Sequence, residues 1–363
     1  MFSRGGILPV ERERTPIRGR GSRRNPPNRF ETISYVPDPD YVETEEEAPK
    51  PQTIFLKDTT RSIVTVNDSP DVGFDASINP YRGCEHGCAY CYARPYHEYL
   101  GFSAGLDFET RILVKERAPE LLRKQLSSPR WTPRPLGMSG VTDPYQPIER
   151  HLKITRGCVA VLAEFRNPVT IVTKNHLITR DIDVLSELAR VNAAFVMISF
   201  STVRSDLARI LEPRTSSPSR RLEAIEALSA AGIPVGVFAA PIIPGLTDHE
   251  VPAIVESAAQ AGARFATCHL VRLPHGVGAL FEEWLECHMP ERKTKVLNRI
   301  RETRRGRLDD SRFCARFHGE GKFAEQITAL FDAARRRMGL SEDCPELSTR
   351  AFRRPPKGQL SLF

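Results

Sequence analysis

The 363-residue sequence contains no apolar run of the ~18 residues that a membrane-spanning helix needs. Its first 30 residues contain no apolar core of the kind that defines a secretory signal. We therefore expect a cytoplasmic protein that makes no membrane contact. The hydrophobic fraction of 40% and the charged fraction of 27% are typical of a soluble globular chain, long enough for one large domain or two smaller ones.

Cysteine is scarce and unevenly distributed. Three of the eight cysteines lie between positions 84 and 91, and no CxxC spacing occurs among the others. In a reducing cytoplasm we expect no disulfides. We interpret the scattered cysteines as small buried thiols, with ligation of an auxiliary cluster as the alternative. These five are Cys158, Cys268, Cys287, Cys314 and Cys344.

A GxGxxG motif is also missing after the first of the segments that look like strands. From Ser77 onward, β-branched or apolar runs alternate with segments of helical periodicity, which predicts βαβ units and a parallel sheet. Without a dinucleotide-binding motif, this α/β pattern favours a barrel or partial barrel. The predicted strands lie in 77–81, 134–143, 168–174, 193–201, 233–243 and 264–273.

The composition divides the chain into four parts. Residues 1–55 are predicted to be a disordered tail, first basic and then acidic, because few of them could build a core. Residues 70–280 form the predicted core, 281–345 a basic helical extension, and 346–363 a flexible tail.

Positive charge is concentrated in two segments. Residues 1–30 carry eight arginines and two acids, and residues 292–316 carry ten basic and three acidic residues. The net charge of +7 agrees with a polyanionic partner, although a solvated tail and a solvated helix face explain the two segments equally well.

The stretch "NPYRGCEHGCAYCYA" follows the first predicted strand and contains Cys84, Cys88 and Cys91. In a barrel, such a loop lies at the carboxyl ends of the strands, where active sites occur. Three thiolates would leave one iron of a [4Fe–4S] cluster without a protein ligand. The alternative is a zinc site whose fourth ligand is His86 or His97.

The spacing C-x3-C-x-Y-C, with Tyr90 before the last cysteine, resembles the signature of the radical S-adenosylmethionine (SAM) superfamily. The resemblance implies a partial (β/α)6 TIM-like barrel. It also implies a [4Fe–4S] cluster on Cys84, Cys88 and Cys91, with SAM on the open iron. Reductive cleavage of SAM to a 5′-deoxyadenosyl radical would need an electron donor such as flavodoxin or ferredoxin.

The resemblance also implies where SAM is bound. Tyr90 corresponds to an aromatic residue near the adenine, and Lys174, at the end of the third strand, to a partner of the SAM carboxylate. A solvated lysine and small serines of a barrel layer are the structural alternatives. The remaining implied SAM contacts are Thr142, Asp143, Ser199 and Ser201.

Within the superfamily, the chain most resembles the group related to spore photoproduct lyase, also described as DNA-repair-photolyase-like. "GVTDPYQPIE" and residues 212–248 carry this resemblance, which implies a lyase or related repair activity on DNA. One departure is that "RPLGMSGVTDPY" lacks the cysteine with which the spore enzyme returns a hydrogen atom. We assign no catalytic residue. His269 and His275 are candidates for substrate contact or for packing in the core.

The chain ends in "QLSLF", which resembles the peptide by which bacterial repair proteins bind the replicative sliding clamp. The anchors would be Gln359, Leu360, Leu362 and Phe363; a tail folded onto the barrel is the alternative. The sequence therefore predicts a radical SAM enzyme that acts on DNA and is recruited by the clamp. The rival predictions are radical SAM modification of RNA, a peptide or a small molecule, and a non-catalytic cysteine–metal adaptor for DNA and the clamp.

Overall fold

The structure is a computed structural model that describes residues 16–31 and 51–355. None of the helices in these ranges is both long and apolar enough to cross a membrane. The strands are Ile54–Lys57 (β1), Val64–Val66 (β2), Ala76–Ile78 (β3), Tyr81–Arg82 (β4), Arg111–Val114 (β5), Leu136–Met138 (β6), Val169–Thr173 (β7), Ala194–Phe200 (β8), Val235–Ile242 (β9) and Phe265–Leu270 (β10). The α-helices are Leu106–Thr110 (α1), Ala118–Ser127 (α2), Glu149–Leu152 (α3), Ile154–Phe165 (α4), Ile182–Ala189 (α5), Ser205–Leu211 (α6), Pro218–Ala230 (α7), Val251–Gln260 (α8), Val277–His288 (α9), Pro290–Glu302 (α10) and Lys322–Arg337 (α11).

The larger sheet has seven strands in the order β10-β9-β8-β7-β6-β3-β2. Strands β3 and β6 to β10 run parallel, while β2 pairs antiparallel with β3 at one edge. These parallel strands lie in the six segments predicted from the sequence, so the α/β prediction is confirmed. Within the described ranges β10 pairs with β9 but with neither β3 nor β2, which leaves the barrel open.

The core of the barrel explains why these segments form strands. All seven residues of β8 are buried, as expected for β-branched and aromatic residues in a strand that is covered on both faces. The connecting helices α4, α5, α7 and α8 contribute buried leucines and isoleucines to the same core. Polar residues that follow the parallel strands therefore meet at one edge of the sheet.

A smaller sheet, of strands β1, β5 and β4, was not predicted. β5 pairs parallel with β1 and antiparallel with β4. These strands are two to four residues long, too short to give a recognisable alternation of polar and apolar residues. Because β4 ends immediately before the cysteine loop, this sheet fixes the point where the loop begins.

Residues 16–31 lie against the barrel beside the cysteine loop, whereas the sequence predicted that they belong to a disordered tail. The Arg20 guanidinium donates a hydrogen bond to the carbonyl oxygen of Glu109 (3.0 Å). The Asn28 side-chain amide donates to the carbonyl oxygen of Glu98 (2.8 Å). The prediction was wrong for these residues because polar side chains, rather than an apolar core, bind the segment to backbone carbonyls.

The predicted flexible tail is also packed as far as residue 355. The Phe352 ring lies 6.3 Å from that of Phe165. The Ser348 N–H donates a hydrogen bond to the carbonyl oxygen of Asn192 (2.8 Å). The flexible-tail prediction was therefore wrong for 346–355. The peptide that resembles a clamp-binding motif lies outside the described residues.

Candidate functional site

The three clustered cysteines lie in the loop between β4 and a short 3-10 helix, Arg94–Leu100. Cys84 and Cys88 are buried, Cys91 is half-buried, and all three thiols are free. The Cys84 N–H donates a hydrogen bond to the carbonyl of Phe108 (2.9 Å), and the Cys91 N–H donates to that of Cys88 (3.2 Å). The loop thus follows the carboxyl end of the first parallel strand and groups three potential thiolate ligands.

A fully buried ion pair supports this loop. The Arg94 guanidinium donates hydrogen bonds to the Cys88 carbonyl (2.9 Å) and to the Glu109 carboxylate (2.6 Å). Glu109 also accepts a hydrogen bond from the Gly21 N–H (3.1 Å), which ties residues 16–31 to the same pair. A Cβ on Gly21 would lie 1.7 Å from the Gly87 carbonyl oxygen, so this close approach requires glycine. Sequence reasoning missed the pair.

Of the two candidate histidine ligands, His86 has a partner at each ring nitrogen, whereas the buried Nε2 of His97 has none among the described residues. His86 Nδ1 lies 3.4 Å from an Asp143 carboxylate oxygen, and its Nε2 lies 3.2 Å from the Asn175 side-chain nitrogen. Burial lowers the pKa of His86, but Asp143 and Cys84 together raise it more, to about 10. The His97 ring stacks on Phe102 at 5.2 Å, and burial lowers its pKa to about 4. Among residues 16–31 and 51–355, no three His, Cys, Asp or Glu side chains could hold a single metal ion.

Thr142 and Asp143 lie beyond the end of β6, beside the cysteine loop. The Thr142 hydroxyl donates a hydrogen bond to the Gly83 carbonyl (2.6 Å). The Asp143 carboxylate accepts one from the Lys174 N–H (2.9 Å). Burial raises the pKa of Asp143, but His86 and the hydrogen bond from the Lys174 N–H lower it more, so the carboxylate is ionised. The two residues thus connect the carboxyl ends of β6 and β7 to the loop.

Lys174, Ser199, Ser201 and Tyr90 meet in one buried hydrogen-bond network. The Lys174 Nζ donates to the Ser199 hydroxyl (3.0 Å), the Ser201 hydroxyl (3.2 Å) and the Ala240 carbonyl (2.9 Å). The Tyr90 hydroxyl lies 2.8 Å from the Ser201 hydroxyl. The parallel strands β7, β8 and β9 end at the same edge, and the cysteine loop adds the tyrosine.

Glu212, just after α6, is the centre of this network and was not predicted. One of its carboxylate oxygens lies 3.0 Å from the Lys174 Nζ and also accepts the Tyr90 hydroxyl. The other pairs with the Arg221 guanidinium. Burial raises the pKa of Glu212, but Arg221 and Lys174 lower it far more, to well below its usual range. Glu212 and Arg221 both lie in the 212–248 segment that carries the family resemblance, which was the one available signal.

This network carries one positive charge in excess. Glu212 supplies a single carboxylate against Lys174 and Arg221, and no other described carboxylate pairs with either cation. Glu212 and Arg221 are fully buried, whereas the Lys174 side chain stays 14% exposed. A buried charge without a counterion is costly, so the open lysine suits the carboxylate of a ligand.

Of the two remaining histidine candidates, His269 is packed and His275 is exposed. The His269 ring stacks on that of Phe317, with centroids 4.2 Å apart, and burial lowers its pKa to about 3. His269 is therefore a neutral, packed side chain, while His275 lies in the turn after β10 with a φ of 51°. Cys158 is fully buried in the main hydrophobic core, as predicted for a core thiol. The prediction of buried thiols was wrong for Cys314, which is exposed, and for three that are only half-buried, Cys268, Cys287 and Cys344.

The sequence profile of the Radical SAM superfamily matches residues 78–258. The uncharacterized protein Rv2578c of Mycobacterium tuberculosis is 36% identical over 236 residues, which cover 64% of this chain and 68% of the relative. The uncharacterized protein MJ0683 of Methanocaldococcus jannaschii is 30% identical over 185 residues, or 51% of this chain and 67% of that protein. The chain therefore belongs to the radical SAM superfamily.

Solved structures of spore photoproduct lyase are similar in fold. The complex with dinucleoside spore photoproduct has a TM-score of 0.55 and 16% identity, and covers 79% of this chain and 80% of that one. A mutant with bound AdoMet and dinucleoside spore photoproduct has a TM-score of 0.56 and 17% identity, with coverages of 85% and 86%. At these identities the comparison concerns the fold, and it confirms the predicted radical SAM barrel.

Membership of the family confirms the predicted cofactors, because radical SAM enzymes use a [4Fe–4S] cluster and S-adenosylmethionine. The donor set fits them. Three free thiols in one loop suit three irons. Lys174 follows a neighbouring strand and belongs to a network with one positive charge in excess, which suits a cofactor that has a carboxylate.

Proposed function

We propose that Cys84, Cys88 and Cys91 bind three irons of a [4Fe–4S] cluster and leave the fourth iron for SAM. The observation that carries this proposal is a three-thiol loop beside a buried polar network with one open lysine. When bound, the cluster and SAM supply a 5′-deoxyadenosyl radical by reductive cleavage, with an electron from a donor such as flavodoxin or ferredoxin.

The side chains around the loop then have distinct roles in holding SAM. Lys174 binds its carboxylate, and Ser199 and Ser201 hold the lysine in place through their hydroxyls. Tyr90 lies near the adenine. Thr142 and Asp143 are our candidates for the amino group, since the Asp143 carboxylate is ionised beside the loop.

The substrate that we propose is a damaged base in DNA. The spore photoproduct lyase mutant of similar fold binds a dinucleoside spore photoproduct, which supports a related substrate here. Residues 16–31, beside the cysteine loop, contain five arginines and one acid. Contacts of arginine with phosphate are independent of sequence and add affinity with their number.

The lesion need not be the one that the spore enzyme repairs. β6 and the loop after it contain Met138 and Ser139 but no cysteine near the site. The nearest cysteine in sequence, Cys158, is fully buried in the core and cannot reach a substrate. The hydrogen atom must therefore come from another donor, which points to a different damaged base or a different product.

Recruitment to newly replicated DNA by the sliding clamp is the second part of the proposal. It depends on Gln359, Leu360, Leu362 and Phe363, which lie outside the described residues. A chain that ends at Gly358 should lose clamp binding in a pull-down and keep its cleavage of SAM. Clamp binding by the shortened chain would refute the assignment of this peptide.

The direct test is an assay of 5′-deoxyadenosine. The protein is purified anaerobically, reconstituted with iron and sulfide, and given dithionite, SAM, and intact or UV-damaged duplex DNA. We expect damaged DNA to raise the yield. If the yield of 5′-deoxyadenosine is the same with and without DNA, the substrate is of another class, such as RNA, a peptide or a small molecule. A cluster-loaded protein that makes no product would contradict the radical chemistry and favour an adaptor.

A cysteine variant tests the metal ligands. Cys88→Ala should lose the iron of the cluster and all 5′-deoxyadenosine, because two thiolates cannot hold the cluster in its place. Cys314→Ala, at an exposed cysteine, is the matched control and should keep both. Equal iron content in the two variants would refute the ligand assignment.

A further inference from the structure

A row of exposed aromatic rings begins beside the cysteine loop. Tyr92, Tyr96 and Tyr99 are 42%, 53% and 68% exposed, and Phe30 is 56% exposed. The ring centroids of Phe30 and Tyr99 lie 4.8 Å apart, and those of Tyr99 and Tyr96 lie 6.5 Å apart. We call these four residues the aromatic row. Four large aromatic side chains exposed in one place are typical of a binding surface.

Arginines lie over the rings at both ends of the row. The Arg29 Cζ is 5.1 Å from the Phe30 centroid, and the Arg272 Cζ is 5.7 Å from that of Tyr92. Arg29 pairs with the buried Glu98 at 2.6 Å, and Arg272 lies 3.7 Å from a carboxylate oxygen of Asp309. The planar guanidinium groups are therefore held in place, where they extend the stacking surface.

Both basic segments of the sequence reach this row. Residues 16–31 supply Phe30 and Arg29 at one end. At the other end, Asp309 of the second segment lies 3.7 Å from Arg272, whose guanidinium lies over the Tyr92 ring. The Arg316 Cζ lies 5.0 Å from the ring of Phe313, which is 56% exposed. Aromatic and basic side chains thus lie together at both ends of the row, and Tyr92 at one end directly follows Cys91.

We propose that the aromatic row binds a single, unpaired strand of DNA and leads it to the cysteine loop. This inference rests on the proposed function and specifies the form of its DNA substrate. Aromatic side chains stack on unstacked bases, whatever their sequence, and arginine adds cation–π contacts and attraction to phosphate.

Two observations favour a single strand over a duplex. Bases inside a duplex are stacked at ~3.4 Å, which leaves no room for a protein ring between them. Exposed aromatic rings instead suit a strand whose bases are unstacked and free to lie on them. In addition, Arg29, Arg272 and Arg316 each lie beside a carboxylate, of Glu98, Asp309 and Asp71, so at the row stacking contributes more than attraction to phosphate.

The test measures fluorescence anisotropy of a labelled single strand of about 15 nucleotides with the full-length, cluster-loaded protein. We expect the wild type to bind this strand more tightly than the matching duplex or the RNA of the same sequence. The double variant Tyr96→Ala/Tyr99→Ala should bind it about tenfold or more weakly, since each ring stacks on a base. Tyr96→Phe/Tyr99→Phe keeps the rings and should stay within about twofold.

Two controls exclude indirect effects. Iron content and the midpoint of thermal unfolding should be equal in all variants, which reports an intact fold and cluster. Leu330→Ala, at an exposed apolar residue of α11, should leave DNA binding unchanged.

Several outcomes would overturn the inference, and they differ from failure of the proposed function. If damaged DNA raises 5′-deoxyadenosine but the alanine variant binds the strand normally, the aromatic row has no such role. Tighter binding of the duplex or of RNA by the wild type would also refute it. If SAM is cleaved and no form of DNA binds or stimulates, the DNA substrate itself is refuted.

Discussion

Two fully buried glutamates, Glu212 and Glu149, have similar surroundings and differ in charge balance. Each accepts a hydrogen bond from a buried tyrosine, Tyr90 for Glu212 and Tyr81 for Glu149. Each also pairs with an arginine. Glu149 takes its next hydrogen bond from a backbone N–H, that of Thr155 at 2.9 Å. Glu212 takes one from the Ser201 hydroxyl (2.7 Å) and forms a second ion pair with Lys174 (3.0 Å).

The difference in charge distinguishes a balanced network from the one that we propose binds SAM. Around Glu149, the second buried carboxylate of Asp181 pairs with Arg180 at 2.7 Å and with Arg156 at 3.1 Å. That network has a cation for each buried anion. The Glu212 network has two cations for one anion, and its lysine is partly open. A balanced buried network can serve folding alone, whereas excess charge indicates a ligand.

The largest expected effect comes from removing each carboxylate charge. Glu212→Gln should lower the free energy of unfolding by about 3–5 kcal/mol, because the buried Arg221 loses its carboxylate partner, and Glu149→Gln should lower it less, because Arg180 keeps Asp181. Anaerobic urea unfolding measures this. Of the two, only Glu212→Gln should also weaken the binding of SAM. Equal losses of SAM affinity would mean that the two networks do not differ in function.

A second variant separates binding from stability. Lys174→Met should weaken the binding of SAM about 10- to 100-fold, the range expected for loss of one charge-assisted hydrogen bond. Its unfolding free energy should hardly change, since Glu212 keeps Arg221. Lys124→Met, at an exposed lysine of α2, is the surface control. Titration calorimetry with cluster-loaded protein gives both affinities, and equal affinities would remove Lys174 from the site.

The smallest expected effect is a pH dependence of the free energy of unfolding, caused by a lysine outside the candidate site, Lys115. Burial and then Arg82 lower the pKa of Lys115 from 10.5 to about 8. Between those values the unfolded chain binds more protons than the folded one. This lysine therefore makes the free energy of unfolding rise with pH from about 8 to 10.5. Urea unfolding at about pH 7.5 and 9.5 should show a smaller rise in Lys115→Met. An identical rise would refute this role of Lys115.

Much of the candidate site could be predicted because the carboxyl ends of parallel strands meet at one edge of the sheet. Strands β7 and β8 are apolar and β-branched, so their ends could be read to within a few residues. Once these ends were known, Lys174, Ser199 and Ser201 had to meet at one edge of the sheet. The cysteine loop could be placed by the same reasoning, because it follows the first parallel strand.

The parts that escaped prediction depend on tertiary contacts of single side chains. Glu212 lies between two helices, and no periodicity links it to Lys174 or Arg221. Arg94 and Glu109 pair across 15 positions, between the 3-10 helix and α1, and no periodicity links them. Residues 16–31 looked disordered because their polar side chains bind backbone carbonyls, a form of order that composition does not reveal.

The central claim is that the excess charge at Lys174 binds the carboxylate of SAM. The most direct test compares the affinities of SAM and decarboxylated SAM for cluster-loaded wild type and Lys174→Met. If the claim is right, removing the carboxylate weakens binding about tenfold more in the wild type than in the variant, since only the wild type has its partner. An equal loss in both proteins would contradict the account.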